Sequence, residues 1–98
     1  MTDHAASLQA TDDRWALSGP LTMDSVAHLL EASKSLALPQ AGVVDLEHVD
    51  RVDSAGVSLL LALKRRATAE GKPLRFAGVP PSMTSLALLY GVEEMLTS

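Results

Sequence analysis

Apolar positions along this chain fall into short clusters whose spacing alternates between two residues and three to four, so the pattern reads as strands interleaved with helices. Ser7 to Ala10 and Arg14 to Ser18 flank the turn-rich tripeptide Thr11-Asp12-Asp13. This predicts a hairpin in which Trp15 and Leu17, two apart, face the core. Gly19-Pro20 is expected to break the second strand, with a helix starting at Thr22 as N-cap and Asp24 near its positive dipole end. Val26, Leu29, Leu30, Ser33 and Ala37 then recur at helical spacing, with His28, Glu31 and Lys34 off that stripe, and Pro39-Gln40-Ala41-Gly42 closes the helix.

Val43-Val44-Asp45-Leu46 reads as a buried strand, because β-branched residues suit a pleated surface. The charged stretch through Asp50 and Arg51 reads as a loop. A helix is then expected from about Ser54, capped by Asp53 or Ser54, and running through Val57 to Leu63 into Lys64, Arg65 and Arg66. Glu70-Gly71-Lys72-Pro73 is a helix stop, with glycine where a left-handed residue is wanted. Leu74 and Phe76 alternate with Arg75 and Ala77 as a strand with one buried side. Ser82 is the expected cap of a helix from Met83 to Tyr90, with Leu86, Leu89 and Tyr90 as its packing stripe and Gly91 as its stop; Val92 to Leu96 adds a short turn or edge. The order β-β-α-β-α-β-α predicts an α/β fold: a roughly four-stranded mixed sheet, helices against it, a hairpin first and right-handed parallel crossovers after.

Length and composition narrow the picture. A chain of 98 residues is expected to form one domain (1–98), with Met1 to Ala6 loosely ordered. Apolar residues make up 47% and aromatic residues 3%, so the core must be aliphatic. A net charge of −4 argues against a nucleic-acid partner, which would require clustered Lys and Arg. The one basic cluster, Lys64-Arg65-Arg66, suits either a solvated helix end or the edge of a partner interface. No cysteine is present, which excludes thiolate chemistry and fits a reducing compartment. Neither a signal-peptide pattern nor a membrane-spanning apolar run is visible, so a cytoplasmic protein is expected, meeting a membrane only through a partner.

The segment Glu47-His48-Val49-Asp50-Arg51-Val52-Asp53-Ser54 carries the candidate chemistry. A Ser, His and Asp set on one short loop makes a poor triad, since nucleophile, base and orienter need fixed mutual geometry, so no catalytic residue is assigned. His48, Asp50 and Asp53 lack calcium-loop spacing and paired His or Cys ligands, and the Gly-rich spacing of a phosphate loop is missing; neither metal nor cofactor is expected. What remains is an acidic edge beside a hydroxyl at a helix N-terminus, suited to recognition or to phosphorylation of Ser54. Six of the seven residues from Val57 to Leu63 are apolar. Either part of that face looks outward to a partner or a neighbouring helix covers it.

Asp45-Leu46, then Val52-Asp53-Ser54-Ala55-Gly56 and Leu59-Leu60-Leu61, resemble the signature of STAS domains, and the resemblance covers nearly the whole chain. It implies the STAS fold and a partner-binding set of Asp50, Arg51, Asp53, Ser54, Ala55, Gly56 and Ser58. Leu86 to Val92 is closer to the closing helix of STAS subunits of bacterial phospholipid ABC transporters, which maintain outer-membrane lipid asymmetry, and that implies the transporter's ATPase subunit as partner. The alternative relatives are anti-sigma factor antagonists, whose serine at the position of Ser54 is a phosphorylated switch; they imply an anti-sigma factor kinase as partner.

Overall fold

A computed structural model of the chain describes residues 6–97, so the expectation for the N-terminus lies, through residue 5, outside the described residues. The first two strands, β1 (Ser7–Ala10) and β2 (Arg14–Leu21), form the expected antiparallel hairpin, closed by Thr11 N–H bonding to Arg14 O at 3.0 Å. Helix α1 (Val26–Lys34) leads to β3 (Val43–Val52), which pairs parallel with β2. Helix α2 (Ser54–Ala69) leads to β4 (Arg75–Ala77), parallel to β3, and α3 (Pro81–Leu89) and α4 (Glu94–Thr97) follow. The sheet runs β1-β2-β3-β4, the mixed four-stranded arrangement that the element order predicts.

One face of the sheet is packed. Trp15, Leu17 and Leu21 of β2 are buried while Ala16 and Ser18 between them stay half-exposed. Leu46 and Val44 of β3, Phe76 of β4, and Val57, Leu59, Leu60 and Leu63 of α2 complete a contiguous aliphatic core. At about 25 cal/mol per Å² of apolar surface removed from water, each such Leu contributes on the order of 2 kcal/mol. The apolar run of α2 is therefore absorbed by the sheet and the flanking helices, with only Leu61 and Ala62 half-exposed; the covered reading is the right one.

Several local expectations are corrected. The charged stretch from Glu47 to Val52 is not a loop but the second half of β3. Its pairing explains why it escapes a period-two reading. From Ala16 to Ser18, β2 advances two residues while β3 advances three, from Asp45 to His48; from Gly19 to Pro20, β2 advances one while β3 advances two, from Val49 to Arg51. Each extra residue is a bulge that returns the next apolar side chain to the core face, so Leu46, Val49 and Val52 point inward at spacings of three. Pro20 sits at the second bulge, where a missing N–H costs no ladder bond, and β2 continues through Gly19-Pro20 to Leu21.

Helix α1 begins at Val26, one turn later than expected. Thr22 does not cap it: the Thr22 carbonyl accepts from the N–H groups of Ser25 and Val26 at 2.9 and 3.0 Å, making a turn before the helix. Ala37 falls beyond the helix and is exposed. In α3 the N-cap position is Pro80, with Pro81 at N1, in place of Ser82. Its buried stripe is Met83 and Ala87; Leu89 and Tyr90 are 75% and 50% exposed, which overturns their assignment to the packing face. Gly71 and Gly91 take positive φ after α2 and α3, as the stop signals require.

The basic cluster divides. Arg66 turns inward: its guanidinium donates to the carbonyls of Ser33, at 2.8 Å, and Leu36, and to the Glu70 carboxylate at 2.8 Å. It thus ties the carbonyl-rich end of α1 to α2 and lies 5.9 Å from the centre of the Trp15 ring. Lys64 donates to Leu74 O and lies over Phe76, while Arg65 is exposed.

Candidate functional site

Three segments meet at the end of the sheet where β2 and β3 run out: the turn after β2, the junction of β3 with α2, and the first turn of α3. Thr22 and Asp24 come from the first, Asp50, Arg51 and Asp53 from the second and Ser82 from the third, around an open depression of about 480 Å³. The junction is fixed by Asp53. Its extended backbone ends the strand, its N–H donates to Leu21 O at 3.2 Å, and its carbonyl accepts from Gly56 and Val57 to begin α2.

The Asp53 side chain binds two segments at once. Oδ1 accepts the Ala55 N–H at 2.8 Å, making Asp53 the N-cap, and Oδ2 accepts the Met23 N–H at 3.0 Å from the turn across the way. Hydrogen bonding to the ionised form holds its carboxyl below the ordinary carboxylate value; the Met23 bond is the largest cause, opposed by desolvation and reinforced by the amides of Ala55 and Gly56. Of the two caps the sequence allows, Asp53 is the one used. Ser54 is the first helical residue, with its side chain exposed.

The residues of the predicted binding set take different positions. Ser54 and Ser58, four apart, lie on one exposed face of α2, and Asp50 and Arg51 near the end of β3 are exposed as well. Asp53 and Ala55 are half-buried. Gly56 is buried: a Cβ there would sit 2.6 Å from the Leu21 carbonyl oxygen and 3.0 Å from Val52 Cγ1. The close approach that requires glycine is thus made by the chain's own β2, and a larger residue at 56 disturbs the fold before it can report on a partner.

Sequence reasoning missed Met23. This side chain is 78% exposed although its backbone is held by Asp53. Reading Thr22 as a helix cap hid it by placing it inside a first helical turn. The available signal was an apolar residue belonging to no stripe, between two polar residues beside a turn.

The arrangement suits binding rather than proton transfer between His48 and Ser54. His48 lies in mid-strand, and at about 3.3 Å per residue the rest of β3 separates it from Ser54 by roughly 15 Å, far beyond a hydrogen bond. Among the described residues no three His, Cys, Asp or Glu side chains gather closely enough to hold a metal ion, and no helix is long and apolar enough to cross a membrane.

A mixed sheet in this order, with a helix N-terminus and an exposed serine at the end of its central parallel strand, is the architecture of a STAS domain. The solved structure of the anti-sigma factor antagonist SpoIIAA in its unphosphorylated form shares the fold, with a TM-score of 0.62 over 87% of this chain and 83% of that one, at 19% identity. The family model described as "Mlab, STAS domain" matches residues 4–97, and the chain belongs to the STAS domain family. It is 36% identical over 86 residues, 88% of each chain, to the intermembrane phospholipid transport system binding protein MlaB of Escherichia coli K12. The protein of that name in Shigella flexneri is similar to the same degree.

Proposed function

We propose that this chain is a non-catalytic binding subunit of a phospholipid transport system that maintains outer-membrane lipid asymmetry. In this reading it attaches to the system's ATPase subunit through the exposed face around Ser54, and is held at the cytoplasmic side of the inner membrane by that partner alone. The observation that carries the reading is the 36% identity to MlaB over 88% of both chains. The geometry supports it by offering a solvent-facing surface at Asp50, Arg51, Ser54 and Ser58, carried on the end of β3 and the start of α2.

Co-expression with the ATPase subunit of its own transport system tests the proposal. The two should co-purify, and the chain should change the ATPase rate while hydrolysing no ATP by itself. Ser54→Asp probes the surface without harming the fold, because an acidic residue in the first turn is favoured by the helix dipole. Ser54 does not line the acidic depression next to it, so a carboxylate buried there at the interface lies outside the reach of any cation facing that depression and costs several kcal/mol; affinity should fall by at least about a hundredfold at unchanged melting temperature. Unchanged binding by Ser54→Asp contradicts the proposed surface. Condition-dependent phosphate on Ser54 in native protein, together with capture of a kinase, would instead identify an anti-sigma factor antagonist.

A further inference from the structure

We infer that Met23 is the apolar anchor of this surface, and that its counterpart on the ATPase is an apolar socket bordered by Lys or Arg side chains. The inference rests on the proposed attachment to that subunit and adds the residue and the chemistry by which it takes place.

A large apolar side chain that is 78% exposed contributes little to its own fold, yet the turn presenting Met23 is held by side-chain hydrogen bonds on both sides of it. Met23 N–H is held by Asp53 Oδ2 at 3.0 Å and the Thr22 N–H by Ser25 Oγ at 3.0 Å, while the Ser25 hydroxyl donates to Pro20 O at 2.7 Å. The backbone on both sides of the exposed thioether is therefore set before any partner arrives. Only side-chain rotamers remain to be ordered on docking, which is the condition under which one apolar residue yields the most affinity. The thioether also adapts to a socket of irregular shape.

The charge beside Met23 points to the chemistry of the partner. Thr22 and Asp24, the chain neighbours of Met23, line the same depression as Asp50 and Asp53, so a depression with three carboxylates lies beside the anchor, and Arg51 is the single cation among the residues lining it. An acidic depression beside an exposed apolar side chain has a complementary partner in Lys or Arg side chains beside an apolar socket, and steers it there from solution. Asp53, which holds the Met23 backbone, immediately precedes Ser54, so the anchor is tied to the start of the helix that the proposed attachment uses.

The test is the affinity of the purified ATPase subunit of the same transport system for wild-type chain, Met23→Ala, Met23→Leu and the double variant Asp24→Asn/Asp50→Asn, at low and high salt, with melting temperatures alongside. Met23→Ala should bind at least about tenfold more weakly with an unchanged melting temperature, and Met23→Leu should stay within about threefold of wild type. The double variant should associate more slowly and show a flatter salt dependence. Met23→Ala binding within twofold of wild type overturns the inference while leaving the attachment intact, and so does a lowered melting temperature, which would show that Met23 serves the fold. Wild-type chain that does not bind the ATPase overturns both.

Discussion

Asp53 joins fold and surface more directly than any other residue. One carboxylate oxygen starts α2 and the other holds the turn that displays Met23, so a single side chain sets the distance between two parts of the candidate face. Its carboxyl is held below the ordinary value of 3.8 in the folded state. A depressed folded value means that Asp53 stabilises the fold fully above its unfolded value, and that this contribution is lost as pH falls through the folded one. Asp53→Asn retains a capping oxygen but replaces the second acceptor with a donor. It should lower stability by about 1–2 kcal/mol at neutral pH, and thermal melts should show the gap to wild type narrowing as pH drops below 3.8. A gap that stays constant with pH would show that the charge has no part in it. Ser54 alters the expectation drawn from its sequence position: it is the first helical residue rather than the cap, so the capping hydrogen bond is made by Asp53 and not by the Ser54 hydroxyl.

At the scale of elements, legibility followed regularity. The hairpin with Trp15 and Leu17 inward, the α2 start at Ser54 and the glycine stops after α2 and α3 were all readable, because each depends on residues near in sequence. The second half of β3 was hidden because its bulges are set by pairing with β2, which a single stretch of sequence does not reveal. The stripe of α3 was misassigned for a related reason. With a run as uniformly apolar as Leu86 to Tyr90, periodicity cannot choose a face, and contact with α2 and the sheet selects Met83 and Ala87. Arg66 was concealed by an ordinary basic helix end, although it binds the two carbonyls that close α1. Arg66→Ala leaves those partly buried carbonyls without their donor and should cost about 2 kcal/mol, read as a lower denaturation midpoint. Arg66→Lys should recover only part, since an ammonium cannot span both carbonyls and Glu70 as the planar guanidinium does. Full recovery by lysine would reduce the role of Arg66 to its charge.

The whole molecule assigns different work to different regions. The packed face of the sheet holds the aliphatic core, while the end where β2 and β3 give way to α1 and α2 carries the exposed serines, the acidic depression and Met23. The surface of the candidate site was legible in part: Asp50, Arg51, Ser54 and Ser58 were named from sequence as binding residues, and all four are exposed. Gly56, another of that set, is buried instead, and the backbone it approaches belongs to Leu21 of the same chain. Met23 and Asp24 approach the site from a segment some thirty residues earlier, and only the fold brings them there. The central claim is that this end of the domain is where the ATPase sits. Hydrogen exchange of the chain, alone and in complex with the ATPase subunit, tests it most directly: the amides of residues 22–25 and 50–58 should gain protection in the complex while β1 and β4 stay unchanged. Protection confined to β4 and α4, with residues 22–25 and 50–58 exchanging as in the free chain, would contradict it.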